Sequence, residues 1–216
     1  MRETRPIPPA RLYRRLPWRR AQLAGLDFEA TGLDLSRDEV VSFGVVPVDG
    51  GRIDLSRSLY REIAPGVAPS PGSVRIHHLR PQELAKAGDL GSVRAELRES
   101  LDRRFLVTWV AEVETSFLAR IFGGRRAWWR RRTIDVVPLV GELDRLEGRG
   151  GERLDRTLAA TAARFGVPPE ESHHALDDAL MTAELFLVVA SKLEARGWTS
   201  VRSFLRPPGP RSTSYR

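Results

Sequence analysis

Cysteine is absent from the 216 residues, which excludes disulfides and thiolate-ligated zinc. Any metal must be held by carboxylates, imidazoles or carbonyls, a donor set that suits Mg2+ or Mn2+. Lysine is nearly absent too: Lys86 and Lys192 stand alone, so almost all positive charge is arginine. No apolar run reaches the roughly 20 residues that a membrane-spanning helix needs. The N-terminal stretch lacks the apolar core of a secretory signal, so the expected location is cytoplasmic, with no membrane partner. What is present is an ordinary core-forming composition, 41% hydrophobic, in a chain long enough for one sizeable domain. The formal net charge of +7 favours polyanionic partners such as nucleic acid. An arginine-for-lysine bias also follows from GC-rich coding, so the charge permits that reading without carrying it.

Residues 1–20 mix arginine and proline without a usable period and are expected as a flexible arm. A domain over 21–195 and a C-terminal tail over 196–216, disordered at its end, complete the expected organisation. Within the domain, an apolar β-branched run over 39–48, an Asp49-Gly50-Gly51 turn and a second run through Ile63 form a hairpin signature. With the strand before it, this predicts an antiparallel three-stranded start. Residues 65–81, rich in proline and glycine, read as a loop. Helices are predicted from about Ser92, where Ser92 can cap, and over 114–122, 136–146, 154–165 and 174–193, with a short buried strand over 105–109. Strands first, then strand and helix alternating, imply an α/β domain with a mixed sheet covered by helices.

The chemistry starts at Leu26-Asp27-Phe28-Glu29-Ala30-Thr31-Gly32-Leu33. In a strand, residues two apart share a face, so Asp27 and Glu29 present their carboxylates side by side. Such a pair repels unless a cation lies between its members. An isolated D-x-E is more often an ordinary strand end. Far downstream, however, Ser172-His173-His174-Ala175-Leu176-Asp177-Asp178-Ala179 opens the last predicted helix, where the helix dipole favours carboxylates and an imidazole can take up a proton.

These two blocks resemble the first and third motifs of the DnaQ-like 3'-5' exonucleases, the DEDDh branch of the ribonuclease H-like superfamily. The segments at 74–84, 133–139 and 154–167 are similar to intervening blocks of the same family, in the same order. The resemblance spans roughly 22–190. It implies a ribonuclease H-like mixed sheet, antiparallel in its first three strands and then parallel, flanked by helices. It further implies hydrolysis of phosphodiester bonds from a 3' end with release of nucleoside 5'-monophosphates. Asp27, Glu29 and Asp178 would hold two Mg2+ or Mn2+ ions, and His173, five positions before Asp178, would be the general base. Thr31 and Leu33 would line the terminal nucleotide. Asp177 is expected as a solvated helix-start residue and Asp135 as a cap.

The middle motif departs from the family pattern A-H-N-A-x-F-D. Glu114 stands where the aspartate is expected, and Trp109 and Val110 replace the His-Asn pair. Glutamate keeps the charge with one more methylene, so retention of a ligand is the favoured expectation. Loss of that ligand would instead leave an impaired module that binds nucleic acid or associates with a polymerase. An RNA-trimming, oligoribonuclease-like enzyme is the further alternative. Arginines around Trp128 and Trp129, with Arg130 and Arg131 foremost, suit phosphate contacts with base stacking, or else an arginine-rich surface over core-packed tryptophans. The expected partners are nucleic-acid 3' ends, single strands above all, and a DNA polymerase or repair assembly.

Overall fold

A computed structural model describes residues 6–9, 11–150, 155–169 and 173–206. The central sheet runs β3-β2-β1-β5-β6, with β4 also paired to β2. Strands β1 (Gln22–Ala30), β2 (Val40–Asp49), β3 (Arg52–Ile53) and β4 (Leu59–Glu62) are mutually antiparallel along their pairings. The β2–β3 hairpin closes through Gly50 and Gly51, whose φ values of 63° and 71° are the left-handed pair that a tight two-residue turn requires. Strands β5 (Phe105–Thr108) and β6 (Thr133–Asp135) then add in parallel to β1. The expected antiparallel start followed by parallel strands is thus present, and the architecture is that of a ribonuclease H-like α/β domain.

Several local expectations change. The 65–81 loop contains one short helix, α1 (Pro71–His77), and ends where another, α2 (Pro81–Leu84), begins. Each opens on a proline, which is preset for the first helical turn, and the Ser70 side chain caps α1 by accepting from Ser73 N. Helix α3 (Leu90–Leu101) starts ahead of Ser92, because the Asp89 carboxylate takes the cap by accepting from Ser92 N. Helix α4 (Ala111–Phe122) begins one turn before the predicted start, and α5 (Arg126–Arg130) follows it. Residues 133–135 form a short strand not predicted from the sequence, and α6 (Val136–Leu146) has the predicted bounds. Helices α7 (Leu158–Arg164), α8 (Ala175–Glu194) and α9 (Val201–Leu205) follow among the described residues.

The ends of the described chain bear on the expected arm and tail. Trp18 is fully buried against Phe186 and Phe204, at ring separations of 5.7 and 6.2 Å. Its backbone N donates to Thr199 O, and Pro17 forms a β-bridge with Ser200. Ile7 N donates to the Asp102 carboxylate at 2.7 Å. Burial of one large indole outweighs the irregular charge pattern that made 1–20 read as an arm. The same holds for Val201 and Phe204, which are buried inside the span expected as tail. The disorder expected at the far end falls on 207–216, outside the described residues. Among the described residues no helix is long and apolar enough to cross a membrane.

The sheet separates two apolar layers. On one side Ala24, Leu26 and Phe28 of β1 pack with α3 and α4, including Phe117 edge-on to Phe28 at 6.0 Å. On the other, Leu23, Val46 and Val48 pack with α6, α8 and α9. Helix α8 lies unusually close to the sheet. A Cβ on Gly25 would stand 2.5 Å from Ala179 O, and one on Gly44 would press still harder on the Ala175 carbonyl. Both positions oppose helix backbone, which cannot rotate away as a side chain can. Gly44→Ala is therefore expected to destabilise by about 2 kcal/mol or more, whereas Gly141→Ala in α6, where nothing lies within 4 Å of the added carbon, should be neutral or stabilising by up to about 1 kcal/mol. Thermal or urea unfolding of the two variants checks this; equal stabilities would contradict the close approach.

Candidate active site

Alternation along β1 places Gly25, Asp27 and Glu29 on the α8 face, because Ala24, Leu26 and Phe28 are taken by the opposite layer. Gly25 lets α8 settle over the strand at Ala179, so Asp178, one residue earlier, arrives beside the D-x-E carboxylates. Donor atoms of Glu29, His173 and Asp178 lie within 4.8 Å of one another. His173 Nδ1 is 3.6 Å from Asp178 Oδ2. The register pairs Asp27 with Gly44 and Glu29 with Ser42, and a bulge after Glu29 turns the chain out of the sheet.

Glu114 comes from the first turn of α4, immediately beyond β5. It is 4% exposed, and its Oε2 has no hydrogen-bond partner. A buried carboxylate oxygen without a partner is costly. Burial pushes Glu114 up to about 8, reinforced by the charges of Asp135 and Glu29 and opposed by Arg130. Glu29 is likewise raised to about 8, by burial and then by Asp178. Asp178 rises to about 6, mainly through burial, although His173 opposes the shift. Asp27 is raised well above the usual carboxylate range by burial, with Glu29, Glu114 and Asp178 all adding to it. Four acids from three elements thus make up one negative nest.

That donor set fits a hard divalent cation. It is all oxygen apart from one imidazole, it concentrates negative charge where burial makes charge expensive, and it leaves a carboxylate oxygen unpartnered. Asp27, Glu29, Asp178 and Glu114 are the residues that would hold it.

The remaining expected residues fall in varied places. Leu33 is 93% exposed on the turn after β1. Thr31, expected along the substrate, is 1% exposed and occupied internally. Its hydroxyl donates to Asp38 Oδ1 at 2.7 Å and accepts from Glu39 N, which fixes the turn that carries Leu33. Thr31 therefore shapes the rim and does not offer its hydroxyl to it. Arg130 is paired with Asp135 at 3.0 Å, beside Glu114. Asp135 stands at the cap position of α6 without a side-chain cap hydrogen bond; Arg130 engages its Oδ2, while its buried Oδ1 has no hydrogen-bond partner. Asp177 contacts His174, with 3.3 Å between Oδ2 and Nδ1. Trp129 is fully buried, edge-on to Trp128 at 4.7 Å, and the Arg132 guanidinium lies over both rings. Core packing, not base stacking, accounts for Trp129.

Sequence reasoning missed Tyr60. Its ring stacks on His174 at 4.2 Å, and burial, with Glu62 next, pushes its hydroxyl up to about 12. The stack turns His174 towards β4 and leaves His173 as the exposed imidazole of the pair, 60% exposed at its side chain. Nothing in a Leu-Tyr-Arg-Glu strand signals this contact, which depends on β4 passing beneath the start of α8.

The sequence profile described as "Exonuclease" matches residues 25–186, and the chain belongs to that family. It is 29% identical over 185 residues to a PolC-type DNA polymerase III of Thermotoga maritima, an alignment covering 82% of this chain and 12% of the relative. The chain thus spans about an eighth of that relative's length. Among solved structures, E. coli exonuclease I in complex with a dT13 oligonucleotide superposes with a TM-score of 0.70 at 15% identity, covering 82% of this chain and 42% of that one. The nuclease domain of 3'hExo, a DEDDh family member bound to rAMP, gives 0.63 at 14% identity, covering 81% and 92%. At such identities the likeness concerns the fold, a ribonuclease H-like exonuclease domain.

The raised carboxylates set the pH dependence of the metal-free chain. Their folded-state values lie above the ordinary range near 4, so between about 4 and 8 the folded state binds more protons than the unfolded one. Stability must fall as pH rises through that window. A divalent cation competes with those protons. We therefore expect Mn2+ to raise the melting temperature more at pH 8 than at pH 5.5, and Glu114→Gln to stabilise the metal-free chain at pH 8 while weakening the Mn2+ effect. Melting curves in chelator and in Mn2+ check both; a metal effect independent of pH would contradict the nest.

Proposed function

We propose that the chain is a divalent-metal-dependent 3'-5' exonuclease that hydrolyses terminal phosphodiester bonds of DNA or RNA and releases nucleoside 5'-monophosphates. The observation that carries this reading is the grouping of Glu29, His173 and Asp178 donor atoms within 4.8 Å of one another, with buried Asp27 feeling the charges of Glu29, Glu114 and Asp178. A pair of Mg2+ or Mn2+ ions bound there would lower the pKa of an attacking water and offset charge growing on the leaving oxygen.

The chain's own residues do the rest. His173 stands at the rim of the nest, its Nδ1 3.6 Å from Asp178 Oδ2, and would take the proton of the attacking water. Glu114, longer than aspartate by one methylene, reaches the nest from the start of α4, where the helix dipole favours its charge. Leu33 offers an exposed apolar side chain at the mouth for the terminal base. Affiliation with the exonuclease family supports the reaction class, and a relative that is a DNA polymerase III supports a polymerase-associated setting.

The replacement of the His-Asn pair by Trp109 and Val110 favours one second reading, an impaired module that binds strands without cutting them. Labelled 20-mers of DNA and RNA separate the two. With Mg2+ or Mn2+, a ladder shortened from the 3' end with mononucleotide release is expected. Asp27→Ala should abolish it, and His173→Ala should slow it by roughly 10²–10⁴-fold. A parent chain that binds both polymers and cuts neither in Mn2+ would overturn the exonuclease reading in favour of the second. The ratio of rates on the two polymers assigns the preferred sugar.

A further inference from the structure

A cleft of about 440 Å³ shares no described lining residue with the carboxylate nest, and apart from Ala127 and Leu205 its described lining is all arginine. The N-terminal 3-10 turn (Arg11–Arg15) contributes Arg11, Arg14 and Arg15. The end of α5 contributes Arg130 and the adjoining Arg131, and α9 contributes Arg202 with Arg206 just beyond it. Among the described residues no carboxylate lines the cleft. Arg130 alone of the seven has a carboxylate partner among the described residues, Asp135 at 3.0 Å. Arg14 is tied by a hydrogen bond to Arg131 O at 2.8 Å.

So many guanidinium groups this close repel one another. Arg14 is lowered from its ordinary range, first by burial and then by Arg206, Arg11 and Arg131. In sequence, residues 207–216 contain no Asp or Glu, and residues 1–5 contain one, Glu3. Three segments distant in sequence bring like charge together at a net cost in repulsion, which a bound polyanion would reverse.

We infer that this cleft holds non-terminal phosphates of a nucleic-acid strand whose 3' end lies in the carboxylate nest. This rests on the exonuclease reading and names where the rest of the substrate goes. Two observations favour a nucleic-acid strand over an acidic peptide. Arg130 connects the cleft with the nest, since its partner Asp135 is one of the charges acting on Glu114. Tyr13, 42% exposed, sits between Arg11 and Arg14 on the same turn, the interleaving of arginine and aromatic that suits phosphate contact with base stacking.

The test is binding of fluorescein-labelled dT20 to the full chain in chelator, where cutting is suppressed, across a range of NaCl. Two double variants on exposed positions, Arg11→Ala with Arg202→Ala and Arg15→Ala with Arg206→Ala, guard against a misfolded single case. Each is expected to weaken binding about tenfold at 100 mM salt and to flatten the salt slope by about 1.4, or 0.7 for each lost phosphate contact. Unchanged affinity and slope in both variants would overturn the inference. So would displacement of dT20 by a 20-residue polyglutamate as effective as that by unlabelled dT20. Hydrolysis of the p-nitrophenyl ester of thymidine 5'-monophosphate, which has no further phosphates, separates this inference from the reading beneath it. An inert ester beside altered salt slopes overturns the hydrolytic reading alone; a cleaved ester beside unaltered slopes overturns the cleft alone.

Discussion

The contact on which the site depends is backbone against backbone: α8 lying on β1 and β2 at Gly25 and Gly44. A helix normally stands off a sheet by the length of the side chains between them. Here two glycines remove that spacer at the positions beneath Ala175 and Ala179, themselves small and fully buried. The helix drops, and Asp178 reaches the face that already carries Asp27 and Glu29. The D-x-E pair and the distant His173-to-Asp178 block are separate signals in sequence; this close approach makes them one constellation.

Electrostatics then explains why the constellation asks for a ligand. Four acids raised chiefly by burial, with Asp27 raised further by the other three, store repulsion that Arg130 offsets only at Glu114 while itself bound to Asp135. Elsewhere the chain satisfies buried charge carefully. Asp144 is paired by both Arg149 and Arg164, and Arg104 pairs with Asp49 at 2.6 Å. Unrelieved charge in a chain that pairs its buried acids elsewhere marks a place where something else is to bind. The arginine cleft is the complementary case, unrelieved charge of the opposite sign. Together they leave unrelieved negative charge at the nest and unrelieved positive charge at the cleft, the two features on which the proposed binding of a strand rests.

Much of this was legible in the sequence because it depends on short-range pattern. The β2–β3 turn follows from Asp49-Gly50-Gly51, α6 and α8 follow from apolar periodicity, and Asp27, Glu29, His173 and Asp178 follow from two compact motifs that resemble a known family. What was not legible depends on three-dimensional closure. Trp18 lies in a stretch of charge and proline, and only the presence of Phe186 and Phe204 makes it core. Thr31 looked like a substrate residue, yet the Asp38 side chain, seven residues on, takes its hydroxyl. The cleft draws its arginines from residues 11–15, 130–131 and 202–206, a grouping that no window along the chain contains. Gly25 and Gly44 did leave a trace, as glycines inside strand patterns, which mark close approach of another backbone.

The central claim is that Glu114 completes a divalent-metal site begun by Asp27, Glu29 and Asp178. Calorimetric titration of Mn2+ in the presence of thymidine 5'-monophosphate measures it directly, with the parent chain and Glu114→Ala compared at pH 8. The account predicts two Mn2+ ions bound by the parent chain and a loss of at least one from the variant. Identical stoichiometry and affinity in the two would contradict it.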